Sequence, residues 1–187
     1  MDTNSETLLC GRLTKNCSKL LVRLKLFNLA LRSIKVMISK TILLVENNPD
    51  EQELAQLAFE QTGYSHQLVV VSDGIEALDY IFCTGKFSQR QPKTMPSLIL
   101  LDLKLPKIDG LEVLRRLRAD GRTQLLPAVI LTTSTEREDV VKSYRLGCNS
   151  YIRKPVDFTE FSELLKQVWV YWLDLNETPP TLKIPDD

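Results

Sequence analysis

The sequence has few residues that bind transition metals and no long apolar run. Histidine occurs once, at position 66, and the four cysteines include no pair with CxxC spacing. We therefore expect neither a zinc site nor a disulfide framework, and reduced thiols favour a cytoplasmic protein. No uninterrupted apolar run approaches the ~20 residues of a membrane-spanning helix. The formal net charge is zero, so composition gives no indication of nucleic-acid binding.

The beginning of the chain differs in charge from the rest. Residues 1–36 carry seven basic and two acidic side chains, with apolar residues near helical spacing between Leu20 and Ile34. Three interpretations stay open: a basic amphipathic helix on a membrane or partner, a targeting segment, or untranslated sequence before a start at Met37. We treat residues 1–38 as a basic extension for this reason.

The rest of the chain alternates between short apolar segments and segments of helical periodicity. The expected strands are 41–45, 67–71, 98–101, 126–132 and 149–153, and the expected helices are 50–61, 75–82, 111–118, 136–146 and 158–173. This alternation predicts βαβ units, and right-handed crossovers then give a doubly wound α/β fold with a parallel sheet. The expected domain covers residues 39–173, and the proline-containing residues 174–187 are expected to form a flexible tail.

The third strand and the turn after it are the most informative stretch. Four apolar residues, 98–101, run without interruption as in a strand buried on both faces, and Asp102 follows directly. Pro106 and Gly110 then mark a turn before the next helix. A carboxylate at the carboxyl end of a parallel strand lies where open α/β sheets place their sites.

Polar groups follow the other strands as well. Glu46 and Asn47 follow the first strand, Thr132 ends the fourth, and Lys154 follows the fifth. Oxygen donors suit Mg²⁺, while a hydroxyl and an ammonium suit a phosphoryl group. Together they predict Asp102 as a nucleophile that forms an aspartyl phosphate.

Each of these groups also has an ordinary structural interpretation. Glu46 and Asn47 could belong to a polar loop in which Asn48 caps the next helix. Thr132 could be a β-branched strand residue, and Lys154 a solvated surface lysine. Their joint occurrence in this order favours the phosphoryl site.

The sequence resembles the receiver domains of two-component response regulators. The matching stretches are ILLVENNP (42–49), LILLDLKLPKIDG (98–110), VILTTS (129–134) and GCNSYIRKP (147–155). The resemblance implies a flavodoxin-like fold of five parallel strands in the order 2-1-3-4-5, flanked by five helices. It also implies a phosphoacceptor protein that is not an enzyme, supplied by a histidine kinase.

The resemblance assigns a role to each candidate residue. Asp102 is implied as phosphoacceptor, Lys154 as the site lysine, and Thr132 with Tyr151 as a coupled switch pair. A cis bond is implied between Lys154 and Pro155. The implied Mg²⁺ ligands are Glu46, Asn47, Asp102 and the backbone carbonyl of Lys104.

Two further features concern partners. The loop 85–96 and the ending WVYWL (169–173) resemble single-domain regulators paired with phytochromes, which implies a phytochrome-type kinase. The remaining chain is too short for a DNA-binding output domain, so output is expected through protein contact without nucleic acid. Tyr171 and Trp172 are candidate contacts for a downstream protein or a homodimer.

Asn47 departs from the family pattern, in which a second acid usually stands. A neutral amide predicts weaker Mg²⁺ binding and slower phosphorylation. It also leaves open a protein-interaction module that no longer depends on phosphorylation. A phosphohydrolase with an aspartyl intermediate is disfavoured, since it needs a second acid two residues after Asp102, where Lys104 stands.

Overall fold

The computed structural model describes residues 39–91 and 95–179, and it shows strands and helices in the predicted alternation. The strands are β1 (Thr41–Val45), β2 (Gln67–Val71), β3 (Leu98–Leu101), β4 (Ala128–Thr132) and β5 (Ser150–Arg153). The α-helices are α1 (Pro49–Glu60), α2 (Gly74–Phe82), α3 (Gly110–Ala119), α4 (Arg137–Arg145) and α5 (Phe158–Trp169). A 3-10 turn, Gly85–Phe87, follows α2, and a π-helix, Val170–Leu175, follows α5.

The strands form one parallel sheet in the order β2-β1-β3-β4-β5, which confirms the predicted fold class. β1 lies between β2 and β3, and its Leu43 is paired with Val69 on one side and Ile99 on the other. Strands β1, β3 and β4 are buried along almost their whole length. This burial explains why they are apolar at every position rather than at alternate positions.

Two apolar layers cover the sheet, one on each face. Leu43 and Val45 of β1 pack into a cluster with α2 and α3, while Ile42 and Leu44 pack with α1 and α5. Alternate residues of a strand point to opposite faces, so one strand contributes to both layers. Trp169 at the end of α5 is fully buried and packs edge-on against Phe59 of α1, with ring centroids 5.1 Å apart.

Hydrogen bonds of the sheet continue past the last residues of three strands. The N–H of Glu46 donates to a β2 carbonyl at 3.0 Å, and the N–H of Asp102 donates to a β1 carbonyl at 3.1 Å. The N–H of Lys154 donates to the carbonyl of Thr132 at 2.8 Å. The backbone of all three site residues is therefore fixed at one edge of the sheet.

The end of the last helix differs from the prediction. Periodicity predicts one helix over 158–173, but the α-helix ends at Trp169 and the chain continues as the π-helix to Leu175. Trp172 is buried, so it belongs to the core, while Tyr171 is half exposed. The described residues contain no cis peptide bond, so the expectation of a cis Lys154–Pro155 bond was wrong. The trans form is the lower-energy isomer of such bonds.

The π-helix is hydrogen-bonded to residues at the amino-terminal ends of the strands, on the side of the domain opposite Asp102. Nζ of Lys40, which directly precedes β1, donates to the carbonyl of Leu173 at 2.6 Å. The hydroxyl of Tyr64 donates to Oδ2 of Asp174 at 2.6 Å. In the described ranges, no helix has the length and apolar character needed to cross a membrane. The predicted extension, residues 1–38, lies outside the described residues, and the domain boundaries remain a prediction.

Candidate functional site

The ammonium group of Lys154 is the centre of the site. Its Nζ lies 2.9 Å from Oδ2 of Asp102 and 2.7 Å from Oε2 of Glu51, and it also contacts Oε2 of Glu46. The side chains of Lys154 and Glu46 are each 3% exposed and that of Asp102 is 8% exposed. The structure thus brings together three of the predicted residues and adds Glu51, which the sequence analysis did not identify.

Burial and the neighbouring charges have opposite effects on the pKa values of the residues in this cluster. Burial alone would lower the pKa of Lys154, but the carboxylates of Asp102 and Glu46 outweigh it and raise the pKa, so the ammonium stays charged. Burial raises the pKa of Glu46, and its ion pair with Lys154 only partly offsets this. Removing the lysine would leave buried carboxylates without compensation, a change that costs about 3–5 kcal/mol in comparable pairs.

The turn after β3 orients Asp102. The N–H of Lys104 donates to Oδ1 of Asp102 at 3.2 Å, so the carboxylate is held from its own loop as well as by Lys154. The N–H of Gly110 donates to the carbonyl of Leu103 at 3.0 Å and closes the turn. A Cβ atom at position 110 would meet the Asp102 carbonyl oxygen at 2.1 Å, so this close approach requires glycine.

The loop after β1 caps the next helix and also contributes a carboxylate to the site. Asn48 caps α1, since its side chain accepts the N–H of Asp50 at 3.0 Å. The N–H of Asn48 donates to Oε1 of Glu46 at 2.8 Å, and this bond orients the buried carboxylate. Asn47 is exposed to solvent. Glu46 is therefore a site residue, and the predicted cap at Asn48 is confirmed.

Thr132 and Tyr151 are connected through Ser134, which the sequence analysis did not identify. Thr132 is fully buried, and its Oγ1 accepts the N–H of Ser134 at 3.3 Å. The hydroxyl of Tyr151 donates to the carbonyl of Ser134 at 3.5 Å. Partial burial raises the pKa of Tyr151. A serine two residues after a strand-end threonine, a spacing at which a hydroxyl can bond the backbone, was the available sequence signal.

An ion pair connects the loop after β3 with the loop after β2, and it joins the exposed side chain of Lys107 to the buried carboxylate of Asp73. Nζ of Lys107 lies 2.5 Å from Oδ2 of Asp73, and Lys107 has a left-handed backbone with φ 66°. Asp73 also caps α2 by accepting the N–H of Glu76 at 2.8 Å. Burial raises the pKa of Asp73, but the hydrogen bonds from Lys107 and Glu76 outweigh it and lower the pKa. Sequence analysis did not predict this pair.

The oxygen donors at this edge suit a hard divalent cation. Glu46 and Asp102 supply carboxylates, and Asn47 can supply only a neutral amide oxygen. Within the described ranges, no group of three or more His, Cys, Asp or Glu residues is arranged to hold a metal. Here the ammonium of Lys154 occupies the point where the carboxylates converge.

Comparison with known proteins identifies the family. The profile of the response regulator receiver domain matches residues 42–166. The chain belongs to the response regulator receiver family. Proteins of this family signal through phosphorylation and imply a kinase as partner, and receiver domains bind a divalent metal at their acidic site.

Two curated relatives of this receiver are small proteins that it covers almost entirely. It is 37% identical over 138 residues to the probable methanogenesis regulatory protein FilR2 of Methanothrix harundinacea, covering 74% of this chain and 86% of FilR2. It is 34% identical over 140 residues to response regulator Rcp1 of Synechocystis sp., covering 75% of this chain and 93% of Rcp1.

Solved structures of two response regulators share the receiver's fold. The phosphorylated cyanobacterial phytochrome response regulator RcpA has a TM-score of 0.71 and 36% identity, covering 76% of this chain and 99% of RcpA. The Mn²⁺-bound form of Rcp1 has a TM-score of 0.70 and 33% identity, covering 75% of this chain and 99% of Rcp1.

Proposed function

We propose that Asp102 accepts a phosphoryl group from a phosphohistidine of a sensor histidine kinase. The observation that carries this proposal is the 2.9 Å contact between Oδ2 of Asp102 and Nζ of Lys154, both buried at the carboxyl edge of the sheet. A carboxylate oxygen attacks phosphorus, the N–P bond breaks, and its electron pair remains on the histidine nitrogen. The product is an acyl phosphate on Asp102, which makes this chain a phosphoacceptor rather than an enzyme.

The other site residues stabilise this transfer. Lys154 and Thr132 are proposed to hold phosphoryl oxygens through an ammonium and a hydroxyl. Glu46, Asn47, Asp102 and the Lys104 carbonyl are the proposed Mg²⁺ ligands. When bound, the ion supplies positive charge that offsets the charge of the phosphoryl group and the carboxylates.

The effect of phosphorylation would be transmitted to the protein surface through Thr132, Ser134 and Tyr151. A phosphoryl oxygen that draws the Thr132 hydroxyl away from the N–H of Ser134 disturbs the segment that Tyr151 contacts. Output then passes to a protein partner or a second copy, for which the half-exposed Tyr171 is a candidate contact.

The proposal also includes the type of kinase and the cellular compartment. The similarity to RcpA, a cyanobacterial phytochrome response regulator, supports a phytochrome-type kinase. The free thiols of Cys83 and Cys148 support the reducing cytoplasm as the compartment.

Phosphate incorporation from a small-molecule phosphodonor tests the proposal. We expect Mg²⁺-dependent labelling of the full chain that disappears in Asp102→Asn. The control Asp120→Asn changes an aspartate that pairs locally with Arg122 at 2.6 Å, and it should label normally. Equal labelling of Asp102→Asn and the wild type would overturn the proposal.

A phosphorylation-independent interaction module is the second candidate, and the neutral Asn47 favours it. This alternative predicts no labelling of the wild type even at high Mg²⁺. It also predicts that partner binding is the same for the wild type and Asp102→Ala.

A further inference from the structure

We propose that Glu51 is a positioning residue that holds the Lys154 ammonium in the unphosphorylated protein and releases it when Asp102 is phosphorylated. The proposal rests on the phosphoacceptor function proposed above. Glu51 would then compete with the phosphoryl group for Lys154 and so oppose formation of the phosphorylated state.

Lys154 has no spare donor for an incoming phosphoryl group. An ammonium carries three N–H groups, and Nζ contacts three carboxylates, those of Glu46, Glu51 and Asp102. A phosphoryl oxygen can bind Nζ only if one of these carboxylates gives up its position. When Oδ1 of Asp102 carries the phosphoryl group, Oδ2 remains as a carbonyl oxygen that still accepts from Nζ, so the partner that must be displaced is Glu46 or Glu51.

Exposure selects Glu51 as the carboxylate that leaves. Its side chain is 26% exposed, against 3% for Glu46, so Glu51 needs less displacement than Glu46 to exchange its ionic contact for water. Glu46 is also held through Oε1 by the N–H of Asn48 at 2.8 Å. Apart from the ion pair with Lys154, Oε2 of Glu51 has no hydrogen-bond partner in the described part of the chain.

The usual role of a glutamate at this position does not account for Glu51. In a capping box, a glutamate three residues after the cap accepts the cap residue's backbone N–H. Here the N–H of Asn48 donates to Glu46 instead, and Glu51 receives only a long 3.4 Å contact from the Asn48 side chain. Glu51 is therefore directed at Lys154 and not at the start of its own helix.

Beryllofluoride, a mimic of the phosphoryl group, tests the proposal by calorimetric titration of the full chain at saturating Mg²⁺. We expect Glu51→Gln to bind it about tenfold more tightly than the wild type, because no ionic contact has to be broken. The control Glu53→Gln neutralises an exposed glutamate on the same helix and should bind within about twofold of the wild type. Equal or weaker binding by Glu51→Gln overturns the proposal.

A spectroscopic readout separates positioning from a general change in the protein. In protein with isotope-labelled lysine, the NMR resonance of Lys154 Nζ should shift in Glu51→Gln relative to the wild type. It should also shift when beryllofluoride is added to the wild type. Glu53→Gln alone should leave the resonance unchanged. An unchanged resonance in Glu51→Gln overturns the role of Glu51. Failure of the proposed function looks different, because then the wild type and Asp102→Asn both fail to bind beryllofluoride.

Discussion

Gly110 lies directly against Asp102: a Cβ atom on Gly110 would stand 2.1 Å from the Asp102 carbonyl oxygen. We expect Gly110→Ala to lower the free energy of unfolding by about 1–3 kcal/mol, because the backbone that carries Asp102 must move. Chemical denaturation measures this loss. The control is Gly121→Ala, where a Cβ meets no atom within 4 Å, and it should stay within about 0.5 kcal/mol of the wild type. Equal stability of the two variants would contradict the prediction.

Asn47→Asp should strengthen Mg²⁺ binding by roughly tenfold, because a charged oxygen donor replaces a neutral one beside Glu46 and Asp102. Calorimetric titration of Mg²⁺ measures the change. Gln56→Glu adds the same charge at an exposed position of α1 and should leave Mg²⁺ affinity nearly unchanged. If Asn47→Asp binds no better than Gln56→Glu, Asn47 does not limit metal binding.

Asp73→Asn should lower the free energy of unfolding by about 1 kcal/mol at neutral pH, since it removes the charge that pairs with Lys107 but keeps a good helix cap. Because the folded-state pKa of Asp73 lies below 3.8, this stabilisation is present above pH 3.8 and is lost as the pH falls through that lower value. Denaturation of both proteins across this range measures it.

Asp109→Asn is the matched control for the Asp73 variant. Asp109 caps α3 by accepting the N–H of Glu112 at 2.8 Å, as Asp73 caps α2, but it is exposed. It should show a smaller change at neutral pH. A difference between Asp73→Asn and the wild type that persists unchanged below pH 3.8 would show that the charge is not responsible.

Arg118→Met should destabilise the fold by about 2 kcal/mol, because the guanidinium donates to the carbonyls of Gly147 at 2.9 Å and Leu126 at 3.0 Å. Thermal unfolding compares it with Arg116→Met, which removes an exposed arginine paired with Glu112 on the same helix. The two variants should differ clearly. Similar melting temperatures would mean that water satisfies those carbonyls.

The sheet and the strand-end residues could be predicted because they depend on short-range patterns. Uninterrupted apolar runs mark buried parallel strands, and the carboxyl ends of such strands meet at one edge. That rule was sufficient to place Glu46, Asp102 and Lys154 together before their distances were known. The alternative in which Asn48 caps α1 could also be stated in advance, because asparagine is a preferred residue at helix N-caps.

Other features depend on which of several possible partners a polar group bonds, and sequence patterns do not specify this. Glu51 follows Asn48 by three residues, a spacing that fits a capping box, and only the structure shows that Glu46 takes that donor. Asp73 and Lys107 are 34 residues apart and meet only because β1 brings their loops together. The π-helix after Trp169 keeps an apolar face, so periodicity did not separate it from α5.

The contact of Lys40 with Leu173 has a practical consequence for experiments. It places both the start of β1 and the end of the last helix at the edge of the sheet opposite Asp102. A fluorophore or surface anchor attached at Ser39 therefore meets the domain on the side opposite Asp102. Immobilised in this way, the domain would keep the side that carries Asp102 directed away from the surface.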